Sequence, residues 1–161
     1  MSLPENDYQI LKLTDDFYTA YPNPPYKEIL KKTQRAYNCL LFQTHYKYFI
    51  CIPYRTEIRH PYAFHFTSTV RSKSHKSGLD YSKIVIITKM DYIDSTNAII
   101  DKDEFNETMA NLKRIKKEAL NFVEDYVAHM KGIKKLHRRE FDRRYNFSTL
   151  KYFHKELALT C

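Results

Sequence analysis

Arg55, Thr56, Arg59 and His60 fall close together in the segment IPYRTEIRHPYAFHF (52–66). A hydroxyl, two guanidinium groups and an imidazole are equipment for moving a proton and steadying a negatively charged transition state. Cleaving RNA through its own 2′-hydroxyl asks for little more. A base takes the hydroxyl proton, an acid protonates the departing 5′-oxygen, and cations surround the five-coordinate phosphorus. The segment supplies all of this except an obvious strong base. Arginine and histidine near a strand end are also ordinary surface residues, so the segment alone leaves both readings open.

A second concentration of charge is KKLHRREFDRR (134–144), where Lys134, Lys135, Arg138, Arg139, Arg143 and Arg144 are offset only by Glu140 and Asp142. It reads either as the solvated face of a helix or as a track for phosphates. Each phosphate neutralised on a single strand would steepen the log–log salt dependence of binding by about 0.7. Tyr145, Phe147 and Tyr152 follow closely and can stack bases, or equally can pack in a core. A third basic stretch, TSTVRSKSHKSG (67–78), carries Lys73 and Lys76 and has no periodicity. It is expected to be a long surface loop, either functional or a solvated insertion.

Composition removes many other chemistries. The chain has 161 residues, enough for one domain with a proper core. Hydrophobic residues make up 43% and aromatic residues 15%, which excludes a disordered tail. With 27 Lys and Arg against 19 Asp and Glu, the formal charge is +8. Such an excess predicts a polyanionic partner: RNA, DNA or an anionic membrane surface. Gly78 and Gly132 are the only 2 glycines, so no glycine-rich phosphate loop or dinucleotide fingerprint can form. Cys39, Cys51 and Cys161 lack CxxC spacing and are expected to be reduced. The 7 histidines show neither HExxH nor Cys/His ligand spacing, and no GxSxG occurs. The paired carboxylates Asp15–Asp16, Asp103–Glu104 and Glu124–Asp125 read as helix-start or surface charges. No metal or cofactor is therefore expected. MSLPENDYQI is acidic without an apolar h-region, so no secretory signal is expected and the cytoplasm is the expected location. No apolar run reaches the roughly 18 residues that a membrane span needs.

The elements that must position these residues change character midway. Residues 8–14 predict a first strand, with Thr14 capping a short helix that runs to Tyr21. Pro22, Pro24 and Pro25 force an extended loop. Residues 36–44 and 46–54 predict a hairpin turning near Thr44 and His45. Tyr46, Tyr48, Ile50, Ile52 and Tyr54 share one face of its second strand and Phe49 and Cys51 the other, so both faces are expected to be covered. Pro53 should end that strand or lie on an edge. Tyr62–Phe66 and Ile84–Thr88 add further strands. Phe105, Met109, Leu112, Ala119, Phe122, Tyr126 and Met130 then recur at helical spacing, opened by Asp101 and Glu104 as a capping box and stopped by Gly132. Lys113, Arg114, Lys116 and Lys117 occupy the opposite face. A final short helix starts at Ser148 and sends Leu150, Phe153 and Leu157 inward. The sum is a single α+β domain over 1–161.

Four strings in this order, PPYKEILKKTQRAY (24–37), IPYRTEIRHPYAF (52–64), GLDYSKIVII (78–87) and YNFSTL (145–150), resemble the toxins of type III toxin–antitoxin systems. The likeness is to the ToxN/AbiQ group, and within it to the CptN/TenpN branch, and it spans about residues 8 to 158. It implies a highly twisted, mostly antiparallel sheet core related to the Kid/MazF toxins, with a long helix in the second half and a final short helix. It implies a metal-independent, sequence-specific endoribonuclease that leaves a 2′,3′-cyclic phosphate. Such a toxin processes, and is inhibited by, a pseudoknot RNA cut from a repetitive precursor, with which it forms closed protein–RNA complexes. Growth arrest and abortive phage infection follow.

Tyr26 matches the family's tyrosine before the first hairpin strand. Arg35 stands where related toxins carry a lysine. It keeps a phosphate contact but cannot transfer a proton near neutral pH. After Pro53 the family has a Thr/Ser pair followed by a lysine. Here Thr56 supplies the hydroxyl, the lysine is absent, and Arg55, Arg59 or His60 must supply the charge. Lys83 comes from the GLDYSK string, with Asp80 as an orienting carboxylate or simply a turn residue. On this basis Tyr26 and Thr56 position the attacking 2′-hydroxyl, Arg35, Arg55 and Lys83 hold the phosphate, and His60 is the candidate for proton transfer. Arg59, Lys73, Lys76 and the basic run are candidate RNA contacts. The main rival is an RNA-binding module without chemistry. A DNA-binding regulator lacks a convincing helix-turn-helix, and a membrane-surface role lacks an adjoining apolar face.

Overall fold

The computed structural model describes residues 8–30, 37–94, 96 and 98–159. Its described elements are six strands and four α-helices in an α+β arrangement with an antiparallel sheet. Strand β1 (Gln9–Lys12) pairs with β2 (Asn38–Gln43), and β2 with β3 (Phe49–Arg55). Between β1 and β2, Thr14 caps α1 (Asp15–Ala20) by accepting the Phe17 N–H at 3.4 Å. The β2–β3 hairpin turns where expected, with Thr44 donating to the Tyr48 carbonyl at 2.8 Å.

The far edge of β3 is shared by two short strands. Phe49–Cys51 pairs with β6 (Val85–Ile87), whereas Tyr54 and Arg55 pair with β5 (Gly78–Asp80). Strand β4 (Ala63–His65) closes the sheet outside β5. Strand β3 continues through Pro53 rather than ending there. Pro53 falls in the gap between the β6 and β5 pairings, so on that edge its missing N–H removes no ladder bond. Sequence patterning also missed β5, a three-residue strand of which only Gly78 falls within the stretch expected to be a loop. Gly78 belongs to it because a Cβ there would overlap the Phe64 carbonyl oxygen of β4. Between β5 and β6 a 3-10 turn, Tyr81–Lys83, interrupts what is in effect one strand running along β3.

The expected long helix is two. Helix α2 (Lys102–Ala110) and α3 (Leu112–Met130) meet at Asn111, whose φ of −121° leaves the helical range. Helix α2 buries Glu104, Glu107 and Thr108, while Phe105 remains exposed: Glu104 and Glu107 face the 67–71 loop and Thr108 meets the core at Tyr54. No capping box forms; Asp101 engages Arg71 at 3.0 Å instead. Helix α3 buries the expected Ala119, Phe122 and Tyr126, together with Ile115 and Val123, but Met130 is exposed. Gly132, at φ +73°, stops it with paired bonds from Gly132 N–H to the His129 carbonyl and from Ile133 N–H to that of Ala128.

Helix α4 (Arg138–Tyr145) precedes a 3-10 turn, Thr149–Tyr152, capped by Ser148, and Leu150, Phe153 and Leu157 are buried as expected. Tyrosine hydroxyls join the layers: Tyr54 to Thr108 at 3.0 Å, Tyr81 to Glu118 at 2.8 Å and Tyr145 to the Phe122 carbonyl at 2.8 Å. Cys39 and Cys51 are buried and free. Among the described residues, no helix is long and apolar enough to cross a membrane.

Candidate active site

The interrupted strand builds the site. Strand β5 delivers Asp80, fully buried, beneath the end of β3. Asp80 Oδ1 accepts the Ser82 N–H at 3.0 Å and the Ser82 hydroxyl at 2.6 Å, which fixes the chain reversal into the 3-10 turn. The same oxygen lies 3.1 Å from His60 Nε2, and Oδ2 accepts from Arg55 Nη1 at 2.8 Å. Burial alone would raise the Asp80 pKa, but the bonds from His60, Ser82 and Arg55 outweigh it and hold the carboxyl below its ordinary value. The Asp80 carboxylate thus orients a guanidinium and an imidazole from the 55–60 segment and a hydroxyl from its own turn.

Both nitrogens of His60 are engaged. Nδ1 accepts the Tyr62 N–H at 3.1 Å, so the proton of the neutral ring sits on Nε2, toward Asp80 and toward Ser82 Oγ at 3.3 Å. The ring is further held by stacking on Tyr62, 5.9 Å between centroids. In this arrangement neither nitrogen offers a free lone pair to a substrate.

Lys83, at the end of the 3-10 turn, donates its ammonium to the Phe147 carbonyl at 2.8 Å. Burial lowers its pKa; Asp80 and Glu28 oppose that, while Arg55 and Lys151 add to it. Lys83 therefore lies within the fields of four charged groups from four segments. Glu28 in turn pairs with Lys151 at 2.5 Å and accepts the Tyr152 hydroxyl at 3.2 Å, and the Tyr26 ring meets Tyr152 edge-on at 4.9 Å. Thr149 ties this second layer to the sheet by donating to the Ile84 carbonyl.

Of the residues expected to do chemistry, Arg55 and His60 meet at Asp80, Lys83 adjoins them, and Tyr26 joins through Tyr152 and Glu28. Thr56 is exposed immediately after Arg55. Arg35 lies outside the described residues. Sequence reasoning left Asp80 between two roles and passed over Ser82, Glu28 and Lys151. The Asp-x-Ser spacing of 80–82 is the local signal for the carboxylate turn; nothing local marks Glu28 or Lys151.

The candidate RNA contacts divide. Arg59 is exposed and loosely paired with Glu57 at 3.5 Å. Lys73 and Lys76 belong to the 67–78 loop, which is well anchored: Glu107 accepts the Thr67 and Ser68 N–H groups and the Ser68 hydroxyl, and Asp103 accepts the Val70 N–H at 2.8 Å. The Ile58 N–H donates to the Lys76 carbonyl at 2.8 Å, so this loop packs beside the Thr56–His60 segment. The run 134–144 is tied to α3 by Arg144, which bonds Asp125 at 3.1 Å, and is braced within α4 by Glu140, which bonds Arg144 at 2.7 Å and Arg143 at 3.0 Å. Lys134, Lys135, Arg138 and Arg139 are exposed and pair with no carboxylate among the described residues. No group of three or more His, Cys, Asp or Glu among the described residues converges as a metal site would require.

No protein-family model matches the chain, and no characterised protein or solved structure matches it significantly.

Proposed function

We propose that this chain is a metal-independent, sequence-specific endoribonuclease, the toxin of a type III toxin–antitoxin system, and that its sheet is of the twisted Kid/MazF kind. The observation that carries this reading is convergence. The four strings that resemble those toxins lie far apart in sequence, yet each contributes to one cluster: Glu28 and Tyr26, Arg55, Asp80 to Lys83, and the Phe147 carbonyl. The cluster holds cations at fixed positions, as phosphate chemistry demands, and the exposed Thr56 follows Arg55 directly in the chain.

In the proposed reaction, Arg55 and Lys83 bind the non-bridging oxygens of the scissile phosphate, and Thr56 orients the 2′-hydroxyl. The 2′-oxygen bonds to phosphorus as the phosphorus–O5′ bond breaks, leaving a 2′,3′-cyclic phosphate. Lys83, with its pKa lowered by burial, gives its proton to the departing 5′-oxygen, and the 2′-proton passes to solvent. His60 acts by holding Asp80, and hence Arg55, rather than by transferring that proton. The partners are then cellular or phage RNA and an inhibitory pseudoknot RNA bound in a closed protein–RNA complex in the cytoplasm, and the outcome is growth arrest and abortive infection.

The test is to incubate RNA-free protein with a long A-rich transcript in excess EDTA and analyse the ends. Discrete fragments with 2′,3′-cyclic phosphate and 5′-hydroxyl ends are expected, and each of Arg55→Ala, Thr56→Ala and Lys83→Ala should slow their appearance by about 100-fold or more. Folded protein that binds the RNA and leaves it intact would make this an RNA-binding module instead. Cleavage by all three variants at the wild-type rate would place the chemistry elsewhere.

A further inference from the structure

Three aromatic residues near the C-terminal end were candidates for stacking bases, and the fold separates them. Tyr145 is only 4% exposed, with its hydroxyl on the Phe122 carbonyl and its ring against Phe122 and Tyr126. Tyr152 is occupied by Tyr26 and Glu28. Phe147 is 72% exposed and has no ring partner among the described residues.

Its backbone, by contrast, is held firmly. The Phe147 carbonyl accepts the Lys83 ammonium. The next residue, Ser148, is 1% exposed, donates its N–H to the Tyr145 carbonyl at 3.0 Å and caps the following turn through the Leu150 N–H at 3.1 Å. Thr149 is fully buried against the start of β6. A large apolar ring is therefore presented to solvent on an ordered shelf, one carbonyl away from a cation of the phosphate cluster. Exposed rings scattered over a surface need no explanation, but a π-face beside a fixed cation is the pairing by which single-stranded nucleic acids are held. The cation takes the backbone and the ring takes a base.

We infer that Phe147 is the stacking platform for a nucleobase adjoining the phosphate that Arg55 and Lys83 hold, which makes single-stranded RNA the substrate form. This rests on the ribonuclease reading above. A duplex would keep its bases stacked on each other and present no free face to the ring.

The test compares wild type with Phe147→Leu, Phe147→Ala and Phe147→Trp, on two probes. One is a cleavable single-stranded RNA. The other is a short single-stranded RNA, 2′-O-methylated throughout so that it cannot be cut, that carries 2-aminopurine. Phe147→Leu and Phe147→Ala should weaken binding of the second probe and raise KM on the first by about 5- to 140-fold, the equivalent of about 1–3 kcal/mol of stacking at 1.4 kcal/mol per tenfold. The rate at saturation and the thermal midpoint should stay near wild type, and Phe147→Trp should preserve binding. Fluorescence of 2-aminopurine should be quenched by wild type and Phe147→Trp but not by Phe147→Ala. Wild type that cuts RNA while Phe147→Leu binds and cuts equally well would overturn the platform and leave the ribonuclease standing. Wild type that quenches the probe through Phe147 but cuts nothing would uphold the platform and sink the ribonuclease.

Discussion

Arg55 Nη1 and Asp80 Oδ2 lie 2.8 Å apart across the β3–β5 pairing, with the Asp80 side chain fully buried and the Arg55 side chain 28% exposed. One side of Arg55 is thus satisfied inside the protein while the rest remains within reach of solvent. The geometry suits a cation that must face a phosphate without swinging away. Removing the carboxylate charge leaves that cation partly buried and uncompensated. Asp80→Asn should cost about 2–3 kcal/mol in urea unfolding. Because the native Asp80 pKa is depressed, its contribution is complete above the ordinary value of about 3.9 and declines as the pH falls through the native one. The stability gap between wild type and Asp80→Asn should therefore persist at neutral pH and shrink as the pH falls below about 4. A gap that closes near neutrality would mean that Asp80 is not held as a carboxylate.

His60 provides a sharper test of the proposed chemistry, since both of its nitrogens already have partners. Glutamine can still donate to Asp80 from its amide but cannot act as a base. If His60 only positions, His60→Gln should keep RNA cleavage within about tenfold of wild type and leave the rate profile between pH 5 and 8 unaltered. If His60 takes the 2′-proton, the loss should be roughly 100-fold or more, and the acid limb of the wild-type profile should vanish. The second outcome would require the ring to leave Tyr62 on binding substrate.

Patterning located most of the scaffold because its signals are local. Thr14 at a cap, the β2–β3 hairpin, Gly132 at a helix stop and Ser148 at a turn start each act within a few residues, and all occur where expected. What patterning missed depends on tertiary partners. Strand β5 has three residues, too few for alternation to register, and exists because β3 and β4 flank it. Helix α2 was read by its apolar residues, whereas its buried face is polar: Glu107 binds a loop that patterning leaves unpositioned, Glu104 faces Arg71 of that loop, and Thr108 meets Tyr54 of β3. The residue types of the site were visible in Arg55, His60 and Lys83, but their meeting point, Asp80, looks like any turn aspartate until the fold buries it.

Glu107 converts the basic 67–78 loop from an insertion into a fixed surface. It accepts both backbone and side-chain donors from Ser68 and Thr67, and although burial would raise its pKa, these bonds hold it below the ordinary glutamate value. Glu107→Ala should destabilise the protein by about 2–3 kcal/mol and speed hydrogen exchange across Thr67–Lys76. If Lys73 and Lys76 meet RNA from this rigid loop, affinity should fall in the same variant although no cation has been removed. Unchanged exchange in the loop would show that Glu107 does not order it.

The basic run divides into cations that hold the fold and cations that face outward, and salt dependence can tell them apart. Arg144 links α4 to α3 through Asp125 and bonds Glu140 within α4, so Arg144→Ala should cost about 1–2 kcal/mol of stability while leaving the salt slope of RNA binding unchanged. Lys134, Lys135, Arg138 and Arg139 are exposed, so replacing all four by glutamine should barely move the thermal midpoint. If they line a path for RNA, the log–log salt slope should fall by about 0.7 for each phosphate that the variant no longer neutralises. A slope equal to that of wild type would reduce these four residues to a solvated surface and leave RNA binding to the Arg55–Lys83 cluster, the 67–78 loop and Phe147.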